Sequence, residues 1–183
     1  GSYDPNDKTE SHGEKIVHST FSSNEYLTYT IRFENAGTAE AINIRVNDVL
    51  DSQLDENSIR MVNTSHPYVL DKVGSTLNWK FDGVNLPPSV ANTQIGHGYI
   101  VFQVKPKTGF AVGDIIPNTA NIYFDFNPAI VTNTVTTEFV TTLAVNEFDT
   151  NSVSVYPNPV HANLNLKNSS KIGSLQYLTT IKS

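Results

Sequence analysis

The sequence predicts an all-β fold, an antiparallel sandwich of two sheets with a short β appendage at the C-terminus. Three observations carry that prediction. Apolar and polar residues alternate with period two in several separate runs, turn-forming residues recur between those runs, and no stretch sustains a helical period. A composition rich in Asn and Thr and poor in Ala and Leu points the same way, because these residues favour strands and turns over helix interiors.

The clearest strand spans 26–33, where Leu27, Tyr29, Ile31 and Phe33 share one face and Tyr26, Thr28, Thr30 and Arg32 the other. Asn35-Ala36-Gly37-Thr38 reads as a turn, after which Ile42, Ile44 and Val46 alternate with Asn43, Arg45 and Asn47. Leu77, Trp79 and Phe81 form another inward row, as do Ile100, Phe102 and Val104. Ile116, Ala120, Ile122, Phe124 and Phe126, followed by 130–140, predict two last strands joined at Asn127-Pro128. An early strand over 15–21 brings the number to about seven or eight, the number of an immunoglobulin-like sandwich. The pattern breaks near Leu143, so the sequence divides into a sandwich at 1–142, a linker at 143–152 and a short β segment at 153–183.

The composition narrows the function classes. The chain of 183 residues carries 18 acidic and 12 basic side chains, a formal charge of -6, which is the wrong sign for wrapping nucleic acid or anionic lipid. It has no cysteine, hence no thiol nucleophile, disulfide or thiolate-bound zinc. No apolar run reaches the length of about 20 residues that spans a bilayer as a helix, so no membrane span is expected. His12, His18, His66, His97 and His161 are scattered without a metal-binding spacing, and no nucleophile elbow, phosphate loop or dinucleotide fingerprint occurs. Asp48, Asp51, Asp55 and Glu56 cluster at a strand end and its loop, where such a run reads as a solvated face rather than a glycosidase pair. No catalytic residue is assigned, and the expectation is a protein that is not an enzyme.

Three groups of candidate binding or bond-forming residues remain. Asp4, Asn6 and Asp7 crowd oxygen-bearing side chains into four positions, and Asp125 with Asn127 forms a second such corner. Together they are a candidate Ca²⁺ site, since that ion takes about six to eight oxygen ligands; the competing reading is local Asx-turns and a strand cap. Tyr99 and Tyr123 fall out of phase with the inward rows and are the candidate exposed aromatics for stacking on a glycan. Trp79 is in phase with Leu77 and Phe81 and reads as core before it reads as a platform. Finally, some bacterial surface sandwiches join a Lys to an Asn through an isopeptide bond, with a buried carboxylate moving the proton. Lys8 or Lys15 against Asn118, Asn121 or Asn133 would suit a bond from the first strand to the last, and salt-bridged or exposed Lys is the default alternative.

Two resemblances follow from particular motifs. Ser154-Val155-Tyr156-Pro157-Asn158-Pro159-Val160 followed by Leu164-Asn165-Leu166 resembles the start of the C-terminal sorting domain of type IX secretion substrates; the chain departs from that pattern after Lys171, and the sorting module reads as truncated. The resemblance implies export in Bacteroidetes-type bacteria, with Tyr156, Pro157, Asn158 and Pro159 as the sorting motif and the secretion machinery as partner. Asp4-Pro5-Asn6-Asp7-Lys8, the 29–37 run, Asp48-Val49-Leu50-Asp51, Ser65-His66-Pro67-Tyr68, His97-Gly98 and the 122–128 run together resemble an uncharacterised immunoglobulin-like repeat domain that precedes such sorting domains in surface proteins. That family has no assigned reaction. The expectation is therefore a structural or adhesion module of a secreted or cell-surface bacterial protein, with a surface glycan or protein as partner. The alternative is a carbohydrate-binding module attached to an upstream enzyme.

Overall fold

Period-two alternation puts every second side chain of a strand on one face, and the row Leu27, Tyr29, Ile31 and Phe33 is almost completely buried. In the computed structural model, which describes residues 5–143, 154–156 and 165–167, the chain divides into two units, Gly1–Leu143 and Ala144–Ser183. The first unit holds twelve of the described strands in three sheets. One sheet has the order β1 (Asp7–Glu10), β3 (Leu27–Glu34), β8 (His97–Pro106), β5 (Leu54–Thr64). A second has the order β11 (Ile130–Val131), β10 (Ala120–Phe124), β4 (Ile44–Val49), β7 (Thr76–Phe81), β6 (Val69–Val73). A third, at one end, joins β2 (Lys15–Val17), β12 (Val135–Val140) and β9 (Ile115–Asn118). All pairings are antiparallel except β2 with β12, which run parallel. In the second unit, β13 (Ser154–Tyr156) pairs antiparallel with β14 (Asn165–Lys167).

Inward rows of the first two sheets meet to form the core. Phe33 on β3 lies 5.5 Å from Phe81 on β7, and Trp79 on β7 lies 5.1 Å from Phe102 on β8, both as tilted ring pairs. Interlocked rings of this kind add to the stabilisation that burial of their area already supplies. The Trp79 indole N–H is satisfied by Met61 Sδ at 3.2 Å. A second aromatic group closes the end with the third sheet, where Phe139 packs on Phe110 at 4.7 Å and on Phe21 at 5.3 Å.

The structure corrects several expectations. The early strand ends at Val17 and continues as a 3-10 turn over His18–Thr20. Ile42 is exposed, because β4 begins only at Ile44, and Phe126 is fully exposed, because the chain has already turned at Asp125. The 130–140 run is two strands, not one. Between them Thr132 turns inward, and its hydroxyl accepts the Ala120 N–H at 3.0 Å. β1, β5 and β6 were not visible in the sequence pattern. The long β5 slips register on β8 twice, which destroys its alternation, and β6 is a largely exposed edge strand.

Gly98 occupies a position that only glycine fits. It pairs directly with Phe33, whose ring lies over it, and a Cβ there would meet that ring at 2.2 Å. Because Phe33 is itself locked against Phe81, the ring cannot yield cheaply. Gly98→Ala is expected to lower the stability of the sandwich by about 1–3 kcal/mol through overpacking, read from urea unfolding; an unchanged midpoint would contradict this packing.

Candidate functional site

A four-residue first strand places an unusual pair of charges inside the sandwich. β1 lies at the edge of its sheet beside β3, with Lys8 opposite Ile31, and its inward positions are Lys8 and Glu10 rather than apolar residues. Asn133 completes the missing side of β1: its Oδ1 accepts the Lys8 backbone N–H at 2.8 Å, and its Nδ2 donates to the Lys8 carbonyl at 2.8 Å. Held this way, the Lys8 side chain is driven inward. Its Nζ donates to Asp48 Oδ2 on β4 in the facing sheet, and both side chains are completely shielded from solvent. The Nζ lies 4.9 Å from the centroid of the Tyr29 ring and 5.5 Å from that of Phe102, so aromatic faces surround the amine.

Around this pair sits a group of buried polar atoms with no hydrogen-bond partner: Asp48 Oδ1, the Tyr29 hydroxyl, Thr137 Oγ1, and both the oxygen and nitrogen of the Asn118 side chain. The Tyr29 hydroxyl faces Asn118 and Thr137 closely enough for their dipoles to act on its ionisation, without reaching hydrogen-bond geometry. Asn118 shares the inward face of its run with Ala120, and Ala120 is the residue directly opposite Asp48. Glu10, the other buried acid, is saturated: it accepts the backbone N–H of His12 at 2.7 Å and of Thr28 at 3.0 Å, and its Oε1 is 2.8 Å from the His12 ring. Orphaned buried polar groups normally cost stability, so five such atoms on Asp48, on Tyr29 and on the two residues its hydroxyl faces mark a site where packing alone does not account for the residues.

Burial governs the ionisation of the pair. It pulls the Lys8 amine below the usual lysine range, against the opposing pull of Asp48, and pushes the Asp48 carboxyl above the usual carboxylate range, against the opposing pull of Lys8. Both shifts favour a neutral amine beside a protonated carboxyl. The Tyr29 hydroxyl is raised as well, first by burial and then by the charges of Glu10 and Asp48.

The residues expected from the sequence fall in other places. Asp7 is held by Arg32, whose Nε donates to Oδ1 at 2.7 Å, and Asn6 Oδ1 accepts the Glu34 backbone N–H at 3.2 Å. Asp125 has a left-handed backbone, and its two oxygens accept the N–H groups of Ile42 and Asn43, which is the strand-cap reading. Asn127 sits in the exposed turn that follows, and Asp4 lies outside the described residues. Among the described residues no three His, Cys, Asp or Glu side chains gather as a metal-holding group.

Trp79 is fully buried, which corrects its place among the ligand contacts: a ring packed on Phe102 has no face left for a sugar. Tyr99 is partly exposed, accepts a hydrogen bond from Asn63 at 3.1 Å, and borders a surface hollow of about 440 Å³ with Arg32, Glu34, His66 and His97. Tyr123 is half-buried opposite Arg45. Tyr156 belongs to β13, while Pro157, Asn158 and Pro159 lie outside the described residues.

Asp48 is the residue that sequence reasoning misplaced. It stands in phase with Ile44 and Val46 and is buried with them, whereas grouping it with Asp51, Asp55 and Glu56 made it part of a solvated face. That phase was the available signal. Among the bond-forming candidates the structure separates the residues clearly: Lys8 and Asn118 are buried, Lys15 is exposed, and the side chain of Asn133 is occupied by the Lys8 backbone.

Residues 4–138 match the family described as a domain of unknown function (DUF7619), and the chain belongs to that family. A comparison with curated proteins returned no match. Among solved structures, the chain is similar to domains D2 and D3 of the major pilin SpaD from Corynebacterium diphtheriae, with a TM-score of 0.52 and 19% identity over 73% of this chain and 52% of that one. It is also similar to BcpA, the major pilin subunit of Bacillus cereus, with a TM-score of 0.52 and 17% identity over 73% of this chain and 39% of that one. The chain thus spans about half or less of these structures, and at such identities the likeness establishes an immunoglobulin-like fold.

Removing one member of a buried charge pair strands the other. Asp48→Ala is expected to lower stability by about 3–5 kcal/mol, measured by denaturant unfolding. A loss below about 1 kcal/mol for Asp48→Ala, the range of an exposed pair, would contradict the burial described here.

Proposed function

We propose that this member of the family is a non-catalytic structural or adhesion module of a secreted or cell-surface bacterial protein, built to carry load between the segments that flank it. The observation that carries this reading is the arrangement of the first and last strands. β2 runs parallel to β12, so tension applied to the two ends of the sandwich slides these strands past one another and loads their hydrogen bonds together. Asn133 grips β1 through the backbone of Lys8, and the Lys8–Asp48 pair ties β1 to the opposite sheet, so the entry strand is fastened at three places. The likeness to major pilin subunits, proteins whose names describe structural assemblies, supports the same reading.

In this reading the segment after Leu143 is the start of a type IX sorting domain. Its support is the Tyr156-Pro157-Asn158-Pro159 run together with the antiparallel pairing of β13, which holds Tyr156, with β14. Secretion machinery is then the partner of that unit, and the sandwich is cargo.

A second reading, a carbohydrate-binding module, is favoured by the 440 Å³ hollow beside Tyr99. Its polar lining of Arg32, Glu34 and His97 under one aromatic edge suits a hydroxyl-rich ligand.

Pulling geometry tests the load-bearing reading. Residues 1–143 pulled through their ends are expected to unfold at a clearly higher force than the same chain pulled through Lys72 and Leu77, which face each other in β6 and β7 and unzip bond by bond. Equal forces in the two geometries would overturn it. Glycan titration tests the second reading: a ligand of the hollow loses several-fold affinity on Tyr99→Ala, and binding indifferent to that change would place the ligand elsewhere.

A further inference from the structure

We infer that the Lys8 amine and the Asn118 carboxamide join in an intramolecular isopeptide bond, with Asp48 as the proton carrier. Four observations on the fold converge on this. Lys8 is a lysine with no route to water, held over two aromatic rings, where its charge is poorly solvated. Asn118 is a buried carboxamide whose oxygen and nitrogen both lack partners, which a purely structural Asn in a core would not tolerate. Asp48 touches the amine through Oδ2 and leaves Oδ1 unpartnered, so one carboxyl has an oxygen for the nucleophile and another for the group under attack. Finally, Tyr29 lies against both reactants, its ring under Lys8 Nζ and its hydroxyl facing Asn118.

The chemistry balances within these groups. The neutral amine of Lys8 attacks Asn118 Cγ while protonated Asp48 hydrogen-bonds to Oδ1 and stabilises the negative charge that develops there. Asp48 then takes a proton from Nζ and delivers one to Nδ2. The Cγ–Nδ2 bond breaks, ammonia leaves, and a secondary amide joins Nζ to Cγ. No electrons are exchanged with any outside group, and the carboxyl ends protonated as it began. A surface hollow of about 310 Å³ is bordered by Pro117, Asn118 and Thr119, so only a short path separates this run from solvent for the departing ammonia. Burial favours the activation: it pulls the amine toward its neutral form and the carboxyl toward its protonated form without a base drawn from solvent. Such a bond is a single event in the life of the chain, so it does not make the module a turnover enzyme.

Intact-mass spectrometry of the purified full chain, followed by proteolysis and peptide sequencing, tests the inference. The expected result is a folded protein lighter than its sequence by one ammonia, and a branched peptide containing Lys8 joined to Asn118. Lys8→Met, Asn118→Ala and Asp48→Asn are each expected to restore the full sequence mass. A wild-type chain that is folded by circular dichroism yet has the full mass overturns the bond. So does a chain lighter by one ammonia that releases Lys8 in an unbranched peptide, as cyclisation of an Asn would give. A folded Asp48→Asn chain that is still fully cross-linked overturns the role given to Asp48. Because the wild-type mass decides the main question, the test does not depend on any variant folding.

Discussion

An amine and a carboxyl buried face to face across two sheets set the terms for the rest of this sandwich. Taking two charges out of water costs more than their attraction returns unless the geometry is good and the remaining polar atoms are satisfied, and here several are not. A core as aromatic as that formed by Phe33, Trp79, Phe81 and Phe102 would have packed more simply around two apolar residues. Keeping Lys8 and Asp48 in that core makes sense if the interior is a reaction site as well as a packing unit. The neighbouring Asn118 then has a role that its isolation does not otherwise explain.

The topology converts that local chemistry into a mechanical property. β1 opens the domain and β9 lies near its end, with β3 to β8, six strands of the two main sheets, between them in sequence. A covalent link between them would take most of the domain out of the path of tension, leaving only the segments outside Lys8 and Asn118 able to extend. The parallel β2–β12 pair, and Asn133 just before β12, both hold the first two strands. Shear-loaded hydrogen bonds and a side-chain tie from first strand to late strand are complementary answers to one demand, that the domain stay folded while its ends are pulled.

Much of this fold was legible in the residue pattern, for a physical reason. Where a strand has one face in the core and one in water, alternation is forced, and the rows through Tyr29, Trp79 and Phe102 state it plainly. Legibility failed where that condition failed. β6 has little buried face, β5 is bulged, and β1 turns Lys8 and Glu10 inward, inverting the usual code. Ile42 and Phe126 misled because apolar alternation continued past the strand ends into turns. The site was half legible: Lys8 and Asn118 stood among several candidate partners, and only the third dimension separated them from Lys15, Asn121 and Asn133. Asp48 was hidden by its acidic neighbours in sequence, although its phase with Ile44 and Val46 already placed it inside.

The state of one nitrogen decides the central claim. In a uniformly labelled sample, nitrogen and carbon NMR reads Lys8 Nζ directly, together with whatever is bonded to it. The account predicts an amide-type nitrogen carrying a single proton, with a one-bond correlation to Asn118 Cγ and no titration across the lysine range. An amine or ammonium nitrogen with no carbon partner beyond its own side chain would contradict it.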